Sequence, residues 1–199
     1  MTESRVLRVD DPEVPGLLAG GWRVAHRSWA ARLRVGERIA LLAGPVAAAE
    51  AIGIRVAEVG PDADPAIAAL EAAVREDYPG GPATAPALHD APALAALRAG
   101  GTRFFAAMDE GELVAVTAIR REGATAETDF TSVARSHRRR GLAEAVKAAS
   151  LLALAEEGVD EFGTGGADEN AASLAMNARL GYLVTERWLT LVPPASSAR

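Results

Sequence analysis

The chain has 199 residues, a formal charge of -6, 49% hydrophobic and 5% aromatic residues, and no cysteine. This length fits one domain with an extension, and the apolar content argues against wholesale disorder. The lack of cysteine excludes disulfides, thiolate nucleophiles and thiolate metal sites, and the acidic balance speaks against a nucleic-acid partner. His26, His89 and His137 are too scattered to suggest a metal site. No apolar run approaches the ~18 residues of a membrane span, and no basic-then-apolar leader opens the chain, so a cytoplasmic location is expected.

The first 53 residues give the weakest pattern. Val6 to Val9 reads as a short strand, and Pro12 and Pro15 open a short helix closed by Gly20-Gly21. Trp22 to Trp29 alternates as a strand, continued or followed by another from Ala30 to Arg34. An apolar run from Arg38 to Leu42 is expected to break at Gly44-Pro45, with a turn or more of helix over Ala47 to Ile52. The stretch Leu18-Ala19-Gly20-Gly21-Trp22-Arg23-Val24 parallels Arg179-Leu180-Gly181-Tyr182-Leu183-Val184. It is either chance or the relic of a second copy.

From Ile54 the elements are clearer. Ile54 to Val59 alternates as a half-buried strand. Asp62 or Asp64 is expected to cap a helix carrying Ile67, Leu70, Ala73 and Val74 on one face. Tyr78 to Ala87 is a Pro/Gly/Ala-rich loop, either a connector or part of a substrate grip. Asp90 caps a second helix through Leu94 and Leu97. Thr102 to Met108, Leu113 to Arg120 and Thr125 to Ala134 form a three-stranded meander with tight turns. Gly141 to Glu157 is the clearest helix. Val159 to Thr164 should lie parallel to the strand before that helix. Gly165-Gly166 reads as a loop, Asp168 as the cap of a helix ending at Gly181, and Tyr182 to Val192 as the last strand. The division is 1–53 as an extension packed on the body, 54–192 as the main domain, and 193–199 as a tail.

The joint between the meander and the βαβ unit is the basic turn Thr131 to Ala143. Four of the six residues from Arg135 to Arg140 are arginine. Amides at a helix start, with the positive end of the helix dipole, make an anion site, and phosphate is the usual occupant. The turn is therefore expected to hold the pyrophosphate of a nucleotide-containing cofactor. Gly163-Thr164-Gly165-Gly166 invites a dinucleotide-fold reading, but the third glycine of that fingerprint would be Asp168, and an antiparallel meander does not fit it.

Arg138-x-x-Gly141-x-Ala143 resembles the Arg/Gln-x-x-Gly-x-Gly/Ala signature of the GNAT superfamily of acyl-CoA-dependent N-acyltransferases. Asn170, Asn177 and Leu180-Gly181-Tyr182 resemble the ending of many members, and the element order matches from Ile54 to Val192. The resemblance implies an α/β (α+β) fold: a mixed, mostly antiparallel twisted sheet flanked by helices, with splayed central strands holding CoA. It implies acetyl-CoA or another acyl-CoA as co-substrate, with no metal. Thr131, Ser132 and Val133 would line pantetheine, and Arg138, Arg139, Arg140, Gly141, Leu142 and Ala143 the pyrophosphate. Asn170, Ser173 and Asn177 would contact the cofactor arm. The Val133 amide would polarise the thioester carbonyl. The position from which a tyrosine protonates the leaving thiolate in some members is Asn177 here. Glu127, Asp129, Thr131 and Val133 are expected on one face of the strand by period two, which makes Asp129, then Glu127, the candidate base. The expected partner is a small-molecule amine, with no nucleic acid or membrane, and a homodimer is open. The alternative is a CoA-binding sensor or scaffold without transfer activity.

Overall fold

The computed structural model describes residues 4–36, 39–77 and 89–194. The loop expected from Tyr78 to Ala87, the start of the run at Arg38 and the tail from Ala195 lie outside the described residues. The elements are β1 (Arg5–Arg8), α1 (Val14–Ala19), β2 (Arg23–Arg34), α2 (Ile39–Glu50), β3 (Arg55–Val59), α3 (Asp64–Val74) and α4 (Ala91–Ala99). They continue with β4 (Thr102–Asp109), β5 (Glu112–Glu122), β6 (Thr125–Val133), α5 (Leu142–Glu156), β7 (Glu161–Ala167), α6 (Ala171–Arg179) and β8 (Leu183–Val192). One mixed sheet runs β1-β8-β2-β7-β6-β5-β4-β3, and only β6 and β7 pair in parallel.

Two apolar layers cover the sheet. On one face α5 packs Ala148, Leu151 and Leu154 against Phe105, Ile119, Ala126 and Phe162, with α2 and α6 alongside. On the other, α3 and α4 bring Ile67, Leu70, Val74 and Leu94 onto Phe104, Val116, Ala118 and Phe130. The hairpin joining β4 to β5 needs positive φ at both central residues, Glu110 (49°) and Gly111 (91°), the requirement of the turn that matches strand twist.

Several elements depart from the expected pattern. The two segments flanking Gly44-Pro45 are one helix, α2, with Pro45 inside it. Proline removes one helical hydrogen bond, but burial of Leu42 and Ala49 holds the helix together across that gap. Neither Asp62 nor Asp64 caps α3; Asp64 lies in its first turn and its Oδ1 accepts from Arg98 Nη2 at 2.7 Å. Asp168 does not cap α6 either: Asn170 does, and Asp168 pairs with Arg187. Gly165-Gly166 is strand, because β2 passes so close that a Cβ on Gly166 would lie 2.8 Å from the Trp29 ring. Asp90 caps α4 as expected, accepting from the Ala93 amide at 3.0 Å.

The two N-terminal strands, β1 and β2, are part of the sheet. β2 lies between β7 and β8, and β1 lies outside β8. The order β1-β8-β2-β7 reads the same from either end when β1 is exchanged with β7 and β2 with β8. The connecting helices end alike. Gly20 N–H donates to Gly16 O, Gly21 N–H to Leu18 O and Trp22 N–H to Leu17 O; Leu180, Gly181 and Tyr182 donate to Met176, Ala178 and Asn177 in the same pattern. Gly21 and Gly181 both take left-handed φ, 86° and 96°. The helix ends do not distinguish chance from a relic, because α2, α4 and α5 also close on a left-handed glycine with similar bonds; the matched strand order is the parallel that remains.

Candidate active site

β6 and β7 stay in register for three pairs only, Thr125 with Glu161, Ala126 with Phe162 and Glu127 with Gly163. Beyond these, β7 follows β2 and β6 follows β5, so a gap opens between them. The Ala134 amide donates to Val114 O at 2.8 Å. Ala115 and Val133 are therefore a non-hydrogen-bonded pair of the antiparallel ladder. It follows that the backbone N–H and C=O of Val133, and of Thr131 two residues earlier, point away from β5 into the gap. Those of Ser132, opposite Val116, point to β5, so Ser132 does not offer the free edge expected of it.

The gap leads into the basic turn. Arg135–His137 form a short 3-10 turn, Arg139 has φ 61°, and Gly141 has φ 79° immediately before α5. A Cβ on Gly141 would meet nothing within 4 Å. Glycine therefore serves here through its backbone conformation, and the space above it is open. The first-turn amides of α5 have no carbonyl four residues back inside the helix. Asp77 receives both Arg135, at 2.8 Å, and Arg138, and Asp109 receives Arg140 at 3.3 Å and His137 at 3.1 Å. Hydrogen bonds from Arg135 and Arg138 hold the Asp77 carboxyl down at about 2. Arg138 also donates from Nε to Val133 O at 3.4 Å. Among the described residues, the Arg139 side chain has no partner.

The expected single face of Glu127, Asp129, Thr131 and Val133 is not what β6 adopts. Phe130 stands opposite Ala118 and Thr128 opposite Ile119, which leaves Asp129 as an extra residue in a bulge. The alternation flips there: Ala126 belongs to the α5 layer and Phe130 to the α3–α4 layer. Asp129 turns to the α3–α4 side, where Thr102 Oγ1 donates to its Oδ2 at 3.3 Å. Partial desolvation pushes its carboxyl up, against the Arg120 charge and the Thr102 hydrogen bond. Nearby, His89 stacks on Phe130 with centroids 4.1 Å apart, and its Nδ1 is 2.7 Å from Glu71 Oε2. His89, Thr102 and Arg120, with Ala93, Ala96 and Leu97 of α4, line a groove of about 540 Å³. Glu127 is instead ion-paired to Arg32 of β2 across Gly163, where any Cβ would collide with both.

The expected cofactor contacts from α6 have other duties. Asn170 Oδ1 accepts from the Ser173 amide as the helix cap. Asn177 is 2% exposed; its Nδ2 donates to Ser173 O and its Oδ1 accepts from Lys147 Nζ at 2.6 Å. Helix capping and burial thus occupy Asn170 Oδ1 and the Asn177 side chain, while Asn170 and Ser173 themselves remain half-exposed. Lys147 itself is 1% exposed and also donates to Thr164 Oγ1 at 2.8 Å. Neither Lys147 nor Arg32 stands out by motif. Lys147 does have a sequence signal, since Ala143 and Leu151 flank it at i±4 on the apolar stripe.

The model for the acetyltransferase (GNAT) family matches residues 67–182, more than half of the chain. The chain belongs to that family. No sequence among curated proteins matches it. Its fold is similar to a tandem GNAT protein from the clavulanic acid biosynthesis pathway (TM-score 0.66, 19% identity), covering 98% of this chain and 64% of that one. It is also similar to a GCN5-related N-acetyltransferase from Sphaerobacter thermophilus (TM-score 0.69, 16% identity, 94% of this chain and 58% of that one). The ribosomal-protein-S18-alanine N-acetyltransferase of Escherichia coli is shorter: 73% of this chain covers 96% of it, at TM-score 0.56 and 17% identity. The chain thus spans less than two thirds of the first two. At these identities the likeness is one of fold. The mixed sheet with its opened β6–β7 pair is the GNAT architecture that the motif implied.

Proposed function

We propose that this GNAT chain transfers an acyl group, acetyl in the simplest case, from acyl-CoA to the primary amine of a small molecule by direct attack. The observation that carries this reading is the continuity of the gap between β6 and β7 with the amide-lined start of α5. The open space over Gly141 and the Arg139 side chain, unpartnered among the described residues, fit a pyrophosphate. The outward backbone groups of Thr131 and Val133 fit an amide-bearing arm laid along β6 as an added strand. The acyl-CoA would supply an activated thioester carbonyl, and an outward amide of β6, that of Thr131 or Val133, would stabilise the oxyanion that develops there.

The groove beside α4, on the α3–α4 face near Asp129, is the candidate seat of the acceptor. Asp129 is the base: its residue is exposed on that face, its carboxyl is raised above the ordinary value, and among the described residues no guanidinium pairs with it. Glu127, held by Arg32, is the lesser candidate. Asp129→Asn should lower kcat by about 10²–10⁴-fold while leaving CoA affinity within a few fold. Thiol release from acetyl-CoA across an amine panel, with CoA binding measured by calorimetry, tests both parts. Binding without release for every amine assigns the chain as a CoA sensor; no binding removes the reading.

A further inference from the structure

Lys147 is a buried cation with no carboxylate in direct contact among the described residues; Glu127 acts on it only at longer range. Its ammonium donates to Thr164 Oγ1 and Asn177 Oδ1 and stands 4.7 Å from the centroid of the Tyr182 ring. All three partners are uncharged, and among the described residues no carboxylate lies within ion-pair distance of Nζ. Burying a charge in this way is costly, and an apolar side chain of similar length would pack more favourably. A plain staple between α5, β7 and α6 does not require a charge.

The cation sits at the mouth of the strand separation. Thr164 is the first residue of β7 beyond Gly163, where pairing with β6 ends. Its hydroxyl accepts from Lys147, so its own proton remains to be given, and among the described residues nothing accepts it. Thr128, the first residue of β6 past the last pair, and Tyr182 add two buried hydroxyls that lie against each other. The narrow end of the gap is thus floored by the Thr164 hydroxyl with the Lys147 ammonium behind it, an arrangement suited to an anionic ligand group.

We infer that Lys147, acting through the Thr164 hydroxyl, is a positioning residue that stabilises the thiolate released in acyl transfer. The inference rests on the gap being the acyl-CoA site. As the amine nitrogen bonds to the carbonyl carbon, its proton passes to Asp129. The C–S bond then breaks with its electron pair left on sulfur, where the Thr164 O–H donates and the Lys147 charge opposes the new negative charge. The thiolate takes up a proton from solvent after release.

Bound CoA tests this without turnover. The chain has no cysteine, so thiolate ultraviolet absorbance reports the CoA thiol alone. In the wild-type complex that thiol should titrate about 1–3 pH units below free CoA. Lys147→Met should return it most of the way to the free value and lower kcat with little change in KM for acetyl-CoA. Thr164→Val should do the same in part, and it carries the test if the Lys147 variant does not fold. Equal thiol titration in wild type and both variants, with CoA bound to each, overturns the inference while leaving the CoA site standing. Failure of the wild type to bind CoA removes the site itself.

Discussion

Burial draws the Lys147 ammonium down from its ordinary 10.5 to about 7, against a smaller upward pull from Glu127. The unfolded chain therefore binds more protons than the folded one between those values, and stability rises with pH through that window. The contribution is lost as pH falls toward 7, and below 7 both states carry the proton. The Tyr182 phenol, pushed up by burial, acts in the opposite sense only above its ordinary value of 10.0. Thermal unfolding between pH 7 and 9.5 should thus show stability growing by roughly 1 kcal/mol per unit, and Lys147→Met should flatten the slope. An unchanged slope in the variant would assign the effect to other groups. The sequence places this lysine on an apolar stripe but cannot say what meets it. Thr164 and Asn177 are 17 and 30 residues away along the chain, and only the packing of three elements brings them to one nitrogen.

At the level of elements, the start of α5 was the most legible feature, because arginines, a left-handed glycine and a long amphipathic run are all local signals. Gly141 is required there by its φ of 79°. Gly141→Ala should cost about 1–2 kcal/mol from backbone strain, yet its methyl group enters open space, so CoA affinity should change little. Gly141→Glu adds a carboxylate at the helix start and should abolish CoA binding beyond any loss seen with alanine. Calorimetry on folded samples of both variants checks this, and wild-type affinity in the glutamate variant removes the pyrophosphate assignment. β6 was less legible. Period two places Asp129 with Thr131, but one extra residue in the ladder turns it to the opposite face. A bulge is a relation between two strands, and neither strand encodes it alone. The same holds for Gly165-Gly166, which look like a loop until the backbone of β2 comes to rest beside them.

The whole molecule depends on its least readable segment. β2 pairs with β7 along one edge and with β8 along the other, and its Trp29, Ala31 and Leu33 are nearly inaccessible within the α5 layer. Without β2, the two strands flanking it would each present an unpaired edge, and the floor of the gap would lose its support from Arg32. The β1-α1-β2 unit has few local signals because its apolar residues match surfaces supplied by the far end of the chain: Val14 of α1 packs on Leu189 and Leu191 of β8. The β-α-β topology makes the unit a module, with its own helix cap and turn, joined to the body through strand edges and one apolar cluster. A peptide spanning residues 1–36 and a chain from residue 37 onward should therefore each be poorly ordered alone and recover cooperative unfolding on mixing. Circular dichroism and thermal melts of the separate and mixed pieces check this. An isolated larger piece that melts like the intact chain would show that β2 is dispensable. Pieces that stay disordered together would show that covalent connection is needed to bring β2 into register with β7 and β8.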